Sequence, residues 1–129
     1  MSEENVRIVG DCFRAWDRAD PDGVVANYAT DVEVDASRVM EGVYRGRDAV
    51  RSYYRTIFES LGFANDELEL TAAGDEALAV TRLRGVGTAS GAEVETPFAY
   101  IFTLRNGCVQ RVCFYPDPDE AVEAAGLSE

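Results

Sequence analysis

The chain has 129 residues, of which 24 are acidic, 12 are arginine and none is lysine or histidine, so its formal net charge is −12 at pH 7. This length predicts a single domain over residues 1–129, and 47% hydrophobic with 28% charged residues is typical of a globular protein. The strong negative charge disfavours nucleic acid and anionic membranes as partners. The missing histidine excludes Ser-His-Asp and Cys-His catalysis, and the missing lysine excludes a Schiff base.

The cysteines and the N-terminal segment predict a cytoplasmic protein. Cys12, Cys108 and Cys113 are an odd number without the C-x-x-C spacing, which favours reduced thiols and offers no metal site. The N-terminus lacks the basic and apolar regions of a signal peptide, and no apolar run is long enough to cross a membrane. We therefore expect no metal, no cofactor and no membrane contact.

Two helices are predicted at the start of the chain. The first begins at Ser2, whose hydroxyl suits an N-cap. Its apolar stripe at helical spacing consists of Val6, Val9, Phe13 and Trp16. Asp20 and Pro21 predict the start of a second, short helix. The buried side of that helix is predicted to be Val24, Val25 and Tyr28.

The next elements are a short strand over Asp31–Asp35, a loop through Ser37–Gly42 and the longest helix, over Arg47–Leu61. The apolar stripe of this helix is Val50, Tyr54, Ile57 and Leu61, and Gly62 is a stop signal. After Gly62 the apolar period changes from 3.6 to 2, which predicts strands.

Four strands and a last short helix are predicted for the second half. The strands are Leu68–Ala72, Ala77–Val86, Glu93–Arg105 and Cys108–Tyr115. Turns at Gly74-Asp75, Gly87–Gly91 and Asn106-Gly107 separate them, and Asn-Gly is a strong hairpin signal. The helix begins at Asp117-Pro118-Asp119 and ends at Gly126. Helices followed by an antiparallel meander predict the α+β class.

The sequence resembles the NTF2-like superfamily, and in particular its SnoaL-like branch. The resemblance rests on three stretches, Asn27-Tyr28-Ala29-Thr30-Asp31-Val32-Glu33, Tyr44-Arg45-Gly46-Arg47-Asp48-Ala49-Val50 and the C-terminal Phe114-Tyr115-Pro116-Asp117 with Glu120 to Leu127. It implies a cone-shaped fold in which a curved antiparallel sheet wraps the long helix and leaves a pocket at its open end.

Strand alternation then predicts the pocket wall. The expected inward residues on the strands are Leu78, Val80, Arg82, Arg84 and Val86, then Thr96, Phe98, Tyr100 and Phe102, then Val112, Phe114 and Pro116. The helical segments are expected to add Phe13, Trp16, Tyr28, Tyr54, Ile57 and Leu61.

The active residues of the superfamily are only partly present. Where limonene-epoxide-hydrolase-like members have an arginine between two aspartates, this chain has Arg82 with Arg84 and Phe114. The ketosteroid-isomerase-like positions hold Cys12, Ala36 and Tyr100, and the histidine of SnoaL-type cyclases is missing.

Asp35 is the candidate general base, because a carboxylate at a pocket rim near aromatic rings can have a raised pKa. The alternative is that Asp35 faces outward or caps the following loop. Arg82 and Arg84 are expected to polarise a ligand carbonyl or hold an acidic substrate, or to pair with acids such as Asp31, Glu33 or Asp35 and brace the sheet, and the two roles do not exclude each other. Tyr100 is the candidate oxyanion donor.

Two functions remain open at this point. The first is a cofactor-free isomerase, cyclase or dehydratase that acts on an apolar, carbonyl-bearing small molecule through Asp35, Arg82 and Tyr100. The second is a non-catalytic binding or dimeric interaction module. We also expect a homodimer formed sheet to sheet, because Leu83, Ile101 and Val109 are predicted on an exposed sheet face.

Overall fold

The structure, a computed structural model, describes residues 2–39, 41–60, 62–86 and 93–126. The α-helices there are α1 (Ser2–Asp17), α2 (Pro21–Val24), α3 (Arg47–Ser60) and α4 (Pro118–Ala124), and Ser37–Val39 forms a 3-10 turn. The strands are β1 (Tyr28–Asp35), β2 (Val43–Arg45), β3 (Gly62–Ala73), β4 (Glu76–Val86), β5 (Glu93–Arg105) and β6 (Cys108–Tyr115). Leu61, the predicted Gly87–Gly91 turn and the side chain of Val86 lie outside the described residues.

The strands form one sheet in the order β2-β1-β6-β5-β4-β3. Neighbours in the β3 to β6 meander are antiparallel, whereas β1 pairs with β6 in parallel. Asn106 and Gly107, with φ of 54° and 76°, form the predicted tight turn between β5 and β6. The α+β class and the four-stranded meander are therefore confirmed, and the parallel pair makes the sheet mixed.

The main differences from the predicted elements concern β1, β2 and β3. Tyr28 opens β1 instead of closing α2, and the unpredicted β2 is a three-residue strand that pairs with β1 at the sheet edge. Strand β3 begins at Gly62, well before the predicted Leu68. A register shift between Asp66 and Glu69, with Glu67 at a φ of 54°, interrupts the alternation of β3, so a period of 2 does not show in its sequence.

Each face of the sheet packs on helices. We define the inner face as the one that packs on α1 and α3, where Val9, Phe13, Val50 and Tyr54 join the main core. The outer face carries a second apolar cluster with α4. The buried members of that cluster are Leu78, Ala99, Ile101, Cys113, Tyr115 and Ala121.

The prediction of which β4 residues face inward is wrong. Its inner-face residues are Ala77, Ala79, Thr81 and Leu83, which lie opposite Phe102, Tyr100, Phe98 and Thr96 of β5. Leu78 and Val80 belong to the outer cluster instead, and Arg82 and Arg84 share their face. Apolar residues occur on both faces of β4 because α4 covers the outer one, so alternation alone predicts the wrong face.

The exposed apolar face expected for dimerisation is absent from the described residues. Leu83 packs on the main core, Ile101 is covered in the α4 cluster and Val109 is fully buried. Val43 is the only large hydrophobic side chain exposed in the described part of the chain. Within the same part, no helix combines the length and apolar character needed to cross a bilayer.

Because α4 covers the outer face of the sheet, removing a side chain beneath it should destabilise the fold. Ile101→Ala should lower the free energy of unfolding by about 2–4 kcal/mol, because Ile101 is only 6% exposed and its loss leaves a cavity under α4. Val43→Ala, at an exposed edge position, should change it by less than about 0.5 kcal/mol. Urea unfolding followed by circular dichroism measures both values, and equal effects of the two variants would contradict the packing of α4.

Candidate functional site

An apolar cavity of about 280 Å³, the main cavity, opens on the inner face of the sheet. The described residues that line it are Trp16, Val39, Glu41, Tyr53, Ile57, Leu83, Phe98, Tyr100 and Phe114. Glu41 is the only charged residue among them. The volume lies slightly below the range of roughly 300–1,000 Å³ that is usual for small-molecule sites.

Edge-to-face aromatic contacts hold the wall of the main cavity in place. The ring centroid of Trp16 lies 5.2 Å from that of Tyr54 and 4.6 Å from that of Phe58. The Tyr100 ring lies 5.1 Å from Phe98 and 5.3 Å from Phe114. Such pairs add to the gain from burial, so they fix the rings that a ligand would contact.

A smaller space of about 20 Å³, the inner chamber, lies behind the main cavity and has room for about one water-sized group. Its described lining is Cys12, Phe13, Trp16, Val24, Tyr28, Tyr54, Asn65, Tyr100, Phe102, Val112 and Phe114. Trp16, Tyr100 and Phe114 line both spaces and therefore mark the boundary between them.

Polar groups are concentrated at this boundary and in the inner chamber. The hydroxyl oxygens of Tyr28 and Tyr54 are 3.2 Å apart. The Tyr100 hydroxyl donates to Asn65 Oδ1 at 2.7 Å, and the Thr81 hydroxyl donates to the same oxygen at 3.1 Å. Asn65 is placed there by β3, where it lies opposite Leu83 in the ladder.

Three buried side-chain donors lack a hydrogen-bond partner in the described part of the chain. One is Arg51 Nε on α3, and the other two are the indole Nε1 of Trp16 and the amide Nδ2 of Asn65. A buried polar group without a partner costs roughly 1–3 kcal/mol. Since Trp16 and Asn65 line the inner chamber, an acceptor atom of a bound molecule could remove this cost there.

Burial keeps the acidic groups of the inner chamber protonated. It is the largest cause of the raised pKa values of Tyr28, Tyr54 and Tyr100, and it raises the pKa of the Cys12 thiol to about 12. Tyr54 and Cys12 raise the pKa of Tyr28 further, and Cys12 also raises the pKa of Tyr54, whereas the hydrogen bond with Tyr28 lowers the pKa of Tyr54. The chamber therefore presents neutral hydroxyls, which donate hydrogen bonds, and an unreactive thiol.

The comparisons with known proteins agree with this architecture. The sequence model of the SnoaL-like domain matches residues 9–112. The chain belongs to the SnoaL-like family. None of the curated protein sequences matches it significantly.

Several solved structures share the fold over nearly the whole chain. A candidate polyketide cyclase from Xanthomonas campestris is similar at a TM-score of 0.81 and 22% identity, covering 96% of this chain and 98% of that one. An NTF2-like protein from Burkholderia xenovorans is similar at a TM-score of 0.76 and 26% identity, covering 97% and 98%. TerC, co-crystallised with polyporic acid, is similar at a TM-score of 0.77 and 16% identity, covering 95% and 98%. The predicted cone-shaped NTF2-like fold is thus confirmed.

Most of the predicted ligand-binding residues line the two spaces of this SnoaL-like domain. Trp16, Ile57, Phe98, Tyr100 and Phe114 line the main cavity. Phe13, Tyr28, Tyr54 and Val112 line the inner chamber. Leu61 lies outside the described residues. The helix and strand patterns of the sequence predicted that these side chains face inward. Their contact with a ligand stays a prediction.

Asp35 does not reach these spaces. It lies opposite Cys113 on the outer side of β1, and its side chain is 14% exposed. Its carboxylate accepts hydrogen bonds from the hydroxyl and amide of Ser37 and pairs with Arg111 at 3.3 Å. The hydrogen bonds from Ser37 are the largest cause of its lowered pKa, with Arg111 and Arg38 adding to the effect. The expected raised pKa is wrong, and the outward, loop-capping alternative describes Asp35.

Arg82 and Arg84 also lie outside the two spaces. Arg82 Nε is 3.2 Å from Glu95 and 3.9 Å from Glu67, and Arg84 Nε is 2.7 Å from Asp66. Both side chains are more than one-third exposed on the outer face. The prediction that they enter the cavity is wrong. They pair with acids and brace the sheet, which was the alternative interpretation. The acids belong to β3 and β5, whereas β1 was expected to supply them.

Sequence reasoning missed several lining residues, namely Val39, Glu41, Tyr53, Asn65 and Leu83. Leu83 was missed because the alternation of β4 was assigned to the wrong face. Asn65 was missed because it lies in the part of β3 that carries no regular alternation. Glu41 lies in a connection without a periodic signal. Among the described residues, no group of three His, Cys, Asp or Glu side chains is placed to hold a metal ion.

The buried hydroxyls predict a pH dependence of stability. Free tyrosine has a pKa of about 10. Because Tyr28, Tyr54 and Tyr100 have raised pKa values when folded, the unfolded chain releases their protons first as the pH rises. Their contribution is complete below about pH 10, and the free energy of unfolding falls above it.

The measurement is a spectroscopic titration of tyrosinate in the near ultraviolet, with circular dichroism on the same samples. Ionisation of these three residues should coincide with loss of structure. Ionisation of all six tyrosines near the pKa of free tyrosine, with the structure intact, would contradict the buried placement.

Proposed function

We propose that this SnoaL-like domain binds a small, mostly apolar molecule that carries a carbonyl oxygen. The carbon frame would occupy the main cavity, and the oxygen would accept hydrogen bonds from Trp16 Nε1 and Asn65 Nδ2. The observation that carries the proposal is the pair of buried, unpartnered donors at the end of an otherwise apolar cavity. The Tyr100 hydroxyl, which already donates to Asn65, orients the amide so that Nδ2 remains available.

Binding is favoured over catalysis by the position of the charged groups. A proton-transfer enzyme needs a base within reach of its substrate. Asp35 and Arg82, the pair considered for this chemistry, are on the outer face. Glu41, a carboxylate in the wall of the main cavity, does not line the inner chamber, where the carbonyl oxygen is proposed to bind. Tyr100 remains a donor in the wall, where it would hold a ligand oxygen. The cofactor-free isomerase, cyclase or dehydratase is therefore the second candidate, supported by the similarity to candidate polyketide cyclases.

The solvatochromic ketone 6-propionyl-2-(dimethylamino)naphthalene is a suitable probe, because its emission changes when it enters an apolar site. Leu83→Arg should lower its affinity about tenfold or more, since the variant places a charge in the main cavity. Arg82→Met, at the adjacent outward position, should leave the affinity within about twofold. Fluorescence titration measures the affinities, and thermal unfolding verifies that both variants fold.

The hydrogen-bond part of the proposal has its own variants. Trp16→Phe and Asn65→Leu each remove one donor without adding a charge, and a hydrogen bond worth about 0.5–1.5 kcal/mol corresponds to a loss of about 2- to 12-fold in affinity. The control ligand is 2-(dimethylamino)naphthalene, which lacks the carbonyl and should respond less. Equal losses for both ligands would contradict the carbonyl assignment, and no binding of either would contradict the apolar site.

The enzymatic candidate is distinguished from binding by incubating the protein with the same ketone in deuterated water. Binding alone leaves the rate of deuterium uptake next to the carbonyl at the rate in buffer. Uptake that the protein accelerates, measured by NMR, would show proton transfer and would replace the binding proposal with an enzymatic one.

The predicted homodimer and the cytoplasmic location remain proposals. No exposed apolar face supports the dimer among the described residues, and Arg82 and Arg84 on the outer face pair with acids of the same chain. Light scattering at micromolar concentration should give about twice the 14.1 kDa of one chain, and a mass of one chain would contradict the dimer. The cytoplasmic location is supported by the free thiols of Cys12, Cys108 and Cys113.

A further inference from the structure

A third space, a depression larger than the main cavity, adjoins it. This outer groove has a volume of about 610 Å³ and lies between α3 and the segment that leads into β2. The described residues that line it are Glu41, Tyr44, Ala49, Ser52, Tyr53, Thr56 and Ile57. Glu41, Tyr53 and Ile57 also line the main cavity. A ligand longer than the main cavity would therefore extend into the outer groove.

Two stacked tyrosines form one wall of the outer groove. The rings of Tyr44 and Tyr53 are 4.0 Å apart between centroids and nearly parallel, with an interplanar angle of 13°. Tyr53 is 9% exposed, so its ring is held firmly by the core. The face of an aromatic ring carries partial negative charge and attracts a cation within about 6 Å.

Glu41 supplies a full negative charge at the point where the outer groove meets the main cavity. It is the only charged side chain among the described residues that line either space. No described residue forms an ion pair with it, whereas the arginines of the flanking segments are engaged elsewhere. Arg38 pairs with Glu120, and Arg45 pairs with Glu33.

The charge of Glu41 acts on the wall of the groove. Burial is the main cause of the raised pKa of Tyr53, and the Glu41 carboxylate is the next cause, since a nearby negative charge disfavours a phenolate. A negatively charged ligand group in this place would meet the same repulsion. A positively charged group would gain from both the carboxylate and the face of the Tyr44 ring that is turned away from Tyr53.

We propose that the outer groove binds a positively charged nitrogen of the same ligand whose apolar part fills the main cavity. This inference rests on the proposed function and narrows the ligand class to elongated molecules with an apolar body and an ammonium group at the outer end. The nitrogen lies against the Tyr44–Tyr53 stack and pairs with the Glu41 carboxylate.

Three fluorescent probes with the same aromatic body test the charge preference. Dansylcadaverine ends in an ammonium group, dansylglycine ends in a carboxylate and dansylamide is neutral. Dansylcadaverine should bind about fivefold more tightly than dansylglycine at low salt, as expected for one partly exposed ion pair. The preference should weaken at high salt, because salt screens exposed charges.

Variants of single residues test whether the preference for the ammonium probe arises in the outer groove. Glu41→Gln should bring the ratio of the two affinities close to one. Glu59→Gln removes the same charge from an exposed position of α3 that lines neither space, and it should leave the ratio unchanged. Tyr44→Ala should weaken dansylcadaverine more than dansylamide, because only the ammonium group needs the stacked rings.

The outcomes separate this inference from the proposed function. Failure of dansylamide to bind would overturn the proposed apolar site and this inference with it. Binding of dansylamide without a preference for the ammonium probe would overturn this inference alone. A preference that persists in Glu41→Gln would also overturn it, since the net charge of the chain would then be its cause.

Discussion

The register of β4 against β5 is the constraint on which the site depends. Ala79 lies opposite Tyr100, and Ala77 lies opposite Phe102. Because paired residues of an antiparallel ladder share a face, small side chains of β4 leave room for the large rings of β5. A slip of one residue would move Arg82 to the inner face and Leu83 to the outer one. The same register thus makes the cavity apolar and keeps the guanidinium groups in water.

The polarity of the site changes from one end to the other. Neutral hydroxyls and two unpartnered N–H donors lie at the inner end, where burial disfavours charge. Glu41, the one carboxylate among the described lining residues, lies at the outer end. This gradient differs from the arrangement expected from the sequence, in which Arg82 and Arg84 would enter the cavity and polarise a carbonyl or hold an acidic ligand. It suits a ligand with an acceptor oxygen inside and a donor or cation outside.

The outer face has a structural role in this chain. Asp35, Arg38, Arg111 and Glu33 form a network of ion pairs there, and Arg38 also lies 4.4 Å from the ring centroid of Tyr115. Each exposed pair contributes at most about 1 kcal/mol, so the network fixes geometry more than it stabilises the fold. The larger contribution on this face is the burial of apolar side chains beneath α4.

The sequence by itself determined the helices, the meander and the aromatic wall of β5 and β6. On β5 the large rings of Phe98, Tyr100 and Phe102 alternate with smaller residues, so their face could be assigned from the pattern alone. The tertiary structure decided the phase of β4, the outward position of Asp35 and the presence of Asn65 and Glu41 in the site. On β4 both faces carry apolar residues, because α4 covers the outer face. Alternation with a period of 2 is then compatible with either face pointing inward. A bulge hides Asn65 from the pattern, and Glu41 reaches the cavity only because the chain folds back along α3.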